Sequence, residues 1–136
     1  MQRAATNDAM VISGLTEVAL GAMTGWPFAL AIADPERARE LGIRSVPRMR
    51  QWHLDLIALG SLTVLASMAV PNLPRSVAYP LMVGAWTNAN AFAPLIVRPE
   101  IREHPAYRAG VVASFISTSW GFVGLARVAA RRRRRR

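Results

Sequence analysis

RMRQWHLDLIALGSLTVLASMAV, residues 48–70, is the stretch that decides the fold. The apolar run inside it, from Trp52 to Val70, is about as long as the roughly 20 residues that a helix needs to cross the hydrocarbon core of a bilayer. Two ionisable residues, His53 and Asp55, lie near the N-terminal end of this run. Because such groups are costly inside a membrane, they raise a functional-site hypothesis by default.

Three further runs resemble this one in length and apolarity. The four predicted spans are 10–33, 52–70, 77–97 and 109–126. Glu17 is the only charge in the first span, and the third and fourth spans carry none. With 52% of 136 residues hydrophobic, little polar surface is left to face water. The sequence therefore predicts an all-α fold, a bundle of four transmembrane helices within residues 1–130.

Polar segments connect the spans. Residues 34–51 form an arginine-rich loop with a short helical turn around 36–41, residues 71–75 form a tight turn, and residues 98–108 form a charged loop. All seventeen basic residues are arginine, and six form the C-terminal tail 131–136. We interpret the tail as an anchor against anionic membrane lipid and not as a nucleic-acid site, because no aromatic platform stands beside it. The density of the tail favours cytoplasmic termini for a multi-pass protein of the cell membrane.

Small residues recur on one side of each predicted helix. Close packing through such residues drives helix association in lipid, so we expect a tight bundle and a homo-oligomer. Glu17 lies on the stripe formed by Gly14 and Gly21, and it should therefore face another helix or a cavity. A carboxylate at this depth must be protonated or paired, with His53 or an interfacial arginine as the obvious partner.

Two residues in the second span point to different roles. His53 can serve as a metal ligand, a haem ligand or a proton carrier, but one histidine does not make a zinc site. Asp55 follows two residues later, so its side chain points roughly 200° away in a helix. It is a candidate catalytic residue, and equally a candidate partner for Arg48 or Arg50 at the membrane surface.

The third span contributes the other polar candidates. Asn88 and Asn90 could each act at a site or form a hydrogen bond between helices. Trp86 lies in the middle of the span, where an interfacial aromatic belt does not explain it. It is interpreted as lining a pocket, with core packing as the alternative.

Three short strings carry a resemblance. They are residues 13–25, with Ser-Gly-Leu and Leu-Gly-Ala-Met-Thr-Gly; His53-Leu54-Asp55 followed by Gly60; and residues 84–88, Gly-Ala-Trp-Thr-Asn. In these strings, and in the order and length of the four spans, the chain resembles the hydroxylaminobenzene mutase family, small four-helix membrane enzymes related to styrene oxide isomerase.

That resemblance implies an intramolecular rearrangement of a small aromatic or lipophilic substrate. In the isomerase relatives a haem b between subunits uses the histidine of the second helix as axial ligand, and its iron acts as a Lewis acid on the epoxide oxygen. By position, His53 would be that ligand and Asn88 would line the pocket. The chain departs from the family pattern at Ser13, Leu59 and Phe92, where relatives carry histidine, asparagine and tyrosine.

Three classes of function follow. The first is a membrane isomerase in which His53 binds haem, the catalytic residues are drawn from Glu17, Asp55, Asn88 and Asn90, and Trp86 and Phe92 line the pocket. The second is a non-enzymatic membrane protein, either a structural subunit or a binder of small lipophilic molecules. The third is a small transporter of the multidrug type, which shares a lone glutamate in the first of four spans.

Overall fold

The computed structural model describes residues 2–134 and the side chains of residues 6–134. Helices are the only regular secondary structure in the described residues, with short turns between them, so the all-α prediction is confirmed. The helices are α1 (Gln2–Ala33), α2 (Pro35–Glu40), α3 (Val46–Ala69), α4 (Arg75–Asn90), α5 (Ala93–Val97), a 3-10 helix (Pro99–Glu103) and α6 (Pro105–Arg133). The first three arginines of the predicted tail continue α6, and its last two residues lie outside the described part.

Three of the described helices, α1, α3 and α6, are long and apolar enough to cross a membrane. Their large apolar side chains point outwards: Trp26 is 82% exposed, and Met23, Phe115 and Ile116 are exposed as well. The interior holds small residues and the carboxyl group of Glu17 together with buried apolar side chains such as Leu56, Leu73 and Leu81. Large apolar side chains on the outside as well as the inside suit a bundle surrounded by lipid.

The third predicted span, 77–97, is not one uninterrupted helix. Helix α4 ends at Asn90, and α5 begins at Ala93 after a turn. Pro94 contributes to the break, because it lacks the N–H that would donate to Asn90 O and continue the helix. The 16 residues of α4 rise only about 24 Å, short of the roughly 30 Å of a hydrocarbon core. Helix α5 instead docks on the start of α3, where Ile96 O accepts from the N–H groups of Arg44 and Ser45.

Helices α1 and α3 form an antiparallel pair. Buried positions recur every three or four residues on the facing sides, as in a coiled coil: Met10, Gly14, Glu17, Gly21 and Thr24 on α1, and Leu56, Gly60, Thr63 and Ser67 on α3. The backbones touch where the glycines meet, since a Cβ added to Gly14 would lie 2.5 Å from Gly60 O. Glycine at both positions is what allows this approach.

A second antiparallel pair is formed by α4 and α6. A Cβ on Gly84 would lie 2.5 Å from the backbone N of Thr118, so these helices also touch through their backbones. Pro80 inside α4 lacks an N–H, which leaves Ser76 O without its helical donor. Trp120 of α6 supplies the replacement, with Nε1 3.1 Å from Ser76 O. Helix α6 thus packs chiefly against α4, whereas α3 and α4 join the two pairs.

Candidate functional site: the polar interior of the bundle

A hydrogen-bonded network connects three helices in the bundle interior. Trp86 Nε1 on α4 donates to Ser13 Oγ on α1 at 2.9 Å. Asn90 Nδ2, one turn along α4, donates to Trp86 O, and its Oδ1 accepts from Trp52 Nε1 on α3 at 3.1 Å. Trp86 is therefore held by a specific hydrogen bond, and Asn90 links α4 to α3. Each polar end of these tryptophans finds a partner, as buried indole groups require.

The imidazole of His53 is anchored on the backbone of α1. Its Nδ1 lies 2.9 Å from Gly21 O and 3.2 Å from Thr24 Oγ1. Because a carbonyl oxygen can only accept, Nδ1 carries the hydrogen, and in the neutral ring the lone pair resides on Nε2. The ring of Phe28 packs against it at a centroid distance of 5.7 Å. Gly25 faces the Cε1 edge of the ring, where an added Cβ would be in van der Waals contact at 3.4 Å.

Glu17 is fully buried, at 0% exposed, between α1 and α3. Its stem lies over Gly60, where an added Cβ would meet Glu17 Cβ at 3.0 Å. Neither carboxyl oxygen has a hydrogen-bond partner among the described residues. The pairing with His53 or an arginine that the sequence suggests is therefore not formed, although His53 binds Gly21 O only one turn further along α1.

The remaining sequence candidates are not gathered with this group. Asp55 is half-buried, accepts from Gln51 Nε2 on its own helix at 2.7 Å, and does not pair with Arg48 or Arg50. Asn88 is half-buried, and its side-chain amide forms no hydrogen bond with any residue that the structure describes. Phe92 lies in the turn after α4. The guanidinium of Arg48 lies over its ring, with Cζ 5.7 Å from the ring centroid, in a cation–π contact.

Sequence reasoning missed three residues of the interior. Ser13, Thr24 and Trp52 all make hydrogen bonds to the candidate residues. A signal existed for the first two, because Ser13 and Thr24 share the stripe that carries Glu17 and Gly21. Trp52 begins the second predicted span, where a tryptophan is typical of the membrane interface, and only its hydrogen bond to Asn90 reveals a structural role.

The ionisable side chains of the interior do not form a cluster. Within the described side chains, no three His, Asp or Glu residues come together as a metal-ligand group. The prominent groove of about 780 Å³ lies between α4 and α6, and none of the candidate residues lines it. The interior therefore offers one imidazole with a free Nε2 and one carboxyl group without a partner among the described residues.

Comparisons of the chain with family models, with curated proteins and with solved structures find no match. The likeness to the mutase and isomerase family thus rests on the short strings in the first three spans and on the number of spans. Its functional content stays a hypothesis about His53 and the residues around it.

Proposed function

We propose that this protein is a multi-pass membrane protein with an isomerase-like site that rearranges a small lipophilic or aromatic substrate within a single molecule. Its four membrane-crossing segments would be α1, α3, α4 together with α5, and α6. One observation carries the proposal: His53 Nδ1 is anchored on Gly21 O, which leaves Nε2 as a free, oriented ligand atom. An imidazole held by its second nitrogen is the usual form of a metal-ligating histidine.

The setting of His53 fits a haem b ligand. The ring is partly buried, Phe28 packs against one side, and the small residue Gly25 faces its Cε1 edge. A single axial histidine suffices for haem, so the lack of a multi-residue ligand group among the described side chains is no obstacle. When bound, haem would supply a Lewis-acidic iron to an oxygen atom of the substrate.

The protein's own groups would bind and orient that substrate. By the resemblance, Asn88 would line the pocket, and its side-chain amide has free donors and acceptors because it forms no hydrogen bond with the described residues. Trp86 and Asn90 would act as positioning residues, since both are already held in the network that joins α1, α3 and α4. Glu17 could hold a proton next to the site, because the neutral acid avoids the cost of an unpaired buried charge. Asp55 and Phe92 have no part in this arrangement, as each is engaged elsewhere.

The haem proposal is tested by the absorption spectrum of the protein purified in detergent with haem supplied. We expect a Soret band that is lost in His53→Ala. The matched control is His104→Ala, because the second histidine of the chain caps α6 by accepting from Ala106 N. Absence of the band, or its survival in His53→Ala, would contradict His53 as ligand.

Turnover is tested with an aryl epoxide such as styrene oxide, followed by chromatography of the carbonyl product. We expect Asn88→Leu to reduce kcat/KM by about tenfold or more through the loss of one oriented hydrogen bond, with the spectrum unchanged. If neither an aryl epoxide nor an aryl hydroxylamine reacts while the band is present, the protein is a haem-binding module and not an isomerase.

A second candidate function is supported by the burial of Glu17. An unpaired carboxyl group inside a membrane bundle is typical of proton-coupled carriers, where it exchanges a proton against a cationic substrate. Efflux of a lipophilic cation from proteoliposomes under a pH gradient tests this alternative. Glu17→Gln should abolish the efflux, whereas Asp55→Asn, which alters a carboxylate already bonded to Gln51 on its own helix, should leave it intact. If there is no efflux, or if Glu17→Gln does not change it, the protein is not a proton-coupled carrier of this kind.

A further inference from the structure

The outer surface of α6 and the start of α4 enclose a groove of about 780 Å³. Its walls are apolar, formed by exposed side chains of α6: Val112, Phe115, Ile116, Trp120 and Val123. Val77 and Gly124 form the floor, where an added Cβ on the glycine would meet Val77 Cγ2 at 2.9 Å. The glycine therefore makes the groove concave, because it draws α6 onto α4 at this level.

Two arginines close one end of this groove. Arg127 and Arg131 lie one turn apart on α6 and both line it. Neither forms an ion pair in the described part of the chain, and no acidic residue lines the groove. Arginines at the other end of the protein differ, since Arg37, Arg102 and Arg108 are paired with glutamates.

The spacing along α6 matches one leaflet of a bilayer. From Ile116 to Arg127 the helix rises about 17 Å, and half of a hydrocarbon core is about 15 Å. The apolar part of the groove would therefore lie among acyl chains while Arg127 and Arg131 reach the level of the headgroups. Basic residues at the membrane end of a cleft between helices are the chemistry that selects anionic headgroups.

We infer that the groove between α4 and α6 binds one anionic phospholipid, with an acyl chain along Phe115, Ile116 and Trp120 and the phosphate on Arg127 and Arg131. Charge complementarity identifies the occupant: a zwitterionic lipid would leave the excess of positive charge uncompensated. The inference rests on the proposed membrane location and is independent of the chemistry at His53.

Trp120 provides the probe, because it is 62% exposed and lines the groove. The purified protein is titrated in mixed micelles with brominated phosphatidylglycerol and, separately, with brominated phosphatidylcholine, and tryptophan fluorescence is recorded. We expect saturable quenching by the anionic lipid that is lost in Trp120→Phe. Arg127→Gln with Arg131→Gln should raise the half-saturating lipid fraction on the order of 20-fold. The control Arg39→Gln with Arg44→Gln removes the same charge from the opposite end and should change nothing.

Ser119→Phe supplies a second variant, because this residue lines the groove and a phenyl ring would fill it while both arginines remain. It should abolish the saturable quenching. Equal quenching by the two lipids, or no effect of the double arginine variant, would overturn the inference. The inference would also be overturned if Trp120 became less accessible to quenching as the protein concentration rises. The groove would then be occupied by a second copy of the chain. Failure of the protein to enter vesicles at all would instead refute the membrane location.

Discussion

The contact between α1 and α3 depends on the absence of a side chain at Gly60. A Cβ added there would lie 2.6 Å from Gly14 O and 2.9 Å from Val18 Cγ2, whereas ordinary contacts are 3.4–4 Å. The carbonyl group belongs to the helix backbone and cannot move aside as a flexible side chain would. Gly60→Ala must therefore force the two helices apart by several tenths of an ångström.

The expected loss of stability combines two opposing terms. Overpacking by a methyl group at a tight site costs about 1–3 kcal/mol. Alanine in place of glycine inside a helix recovers about 0.5–1 kcal/mol. The clash is with backbone atoms, which places the first term in the upper part of its range. We expect Gly60→Ala to lower the free energy of unfolding by about 1–2 kcal/mol.

Gly110→Ala is the matched control. This glycine lies inside α6, and an added Cβ there meets no atom within 4 Å. Only the propensity term applies, so the variant should be neutral or up to about 1 kcal/mol more stable. Unfolding in detergent micelles with increasing sodium dodecyl sulfate, followed by far-ultraviolet circular dichroism, measures both. If Gly60→Ala is as stable as Gly110→Ala, α1 and α3 do not meet at Gly60 and the argument fails.

Three further comparisons of variants test individual contacts in the same unfolding assay. Asn90→Leu leaves one indole N–H without its acceptor and should cost about 1–3 kcal/mol, whereas Asn88→Leu should cost less than about 0.5 kcal/mol. A double-mutant cycle of Ser13→Ala and Trp86→Phe should give a coupling energy of about 0.5–1.5 kcal/mol. Asn72 has φ 58°, so Asn72→Ala should destabilise by about 1 kcal/mol and Asn72→Gly should be better tolerated.

Each of these predictions has a result that would contradict it. Equal losses for Asn88→Leu and Asn90→Leu would mean that the link between α3 and α4 is not the specific hydrogen bond to Trp52. A coupling energy near zero would show that the side chains of Ser13 and Trp86 do not interact. Equal stability of the alanine and glycine variants at position 72 would show that the turn after α3 relaxes to an ordinary backbone conformation.

The helical class and three long apolar helices could be predicted because hydrophobic length is a local property of the chain. The third span was harder, since composition alone did not reveal that α4 ends early, at Asn90, and that α5 folds back onto the start of α3. The small-residue stripes correctly indicated which side of α1 is buried: Gly14, Glu17 and Gly21 all face inwards.

The candidate site was only partly predictable. Helical geometry separated His53 from Asp55, and the structure keeps them apart, with one on Gly21 O and the other on Gln51. Helical geometry did not indicate that Asn90 would join the hydrogen-bonded network while the side-chain amide of Asn88 has no partner among the described residues. The two asparagines lie about 200° apart around α4, so the rotation of the whole helix against α3 decides which one finds a partner.

The sequence by itself determined where the apolar helices lie and that ionisable groups are buried among them, because both follow from composition and periodicity along one segment. The tertiary structure decided which groups meet: Gly14 with Gly60, His53 with Gly21, and Glu17 with no partner among the described residues. Such pairings depend on the register and rotation of one helix against another. A shift of one residue turns a side chain by about 100°, so local patterns cannot specify them.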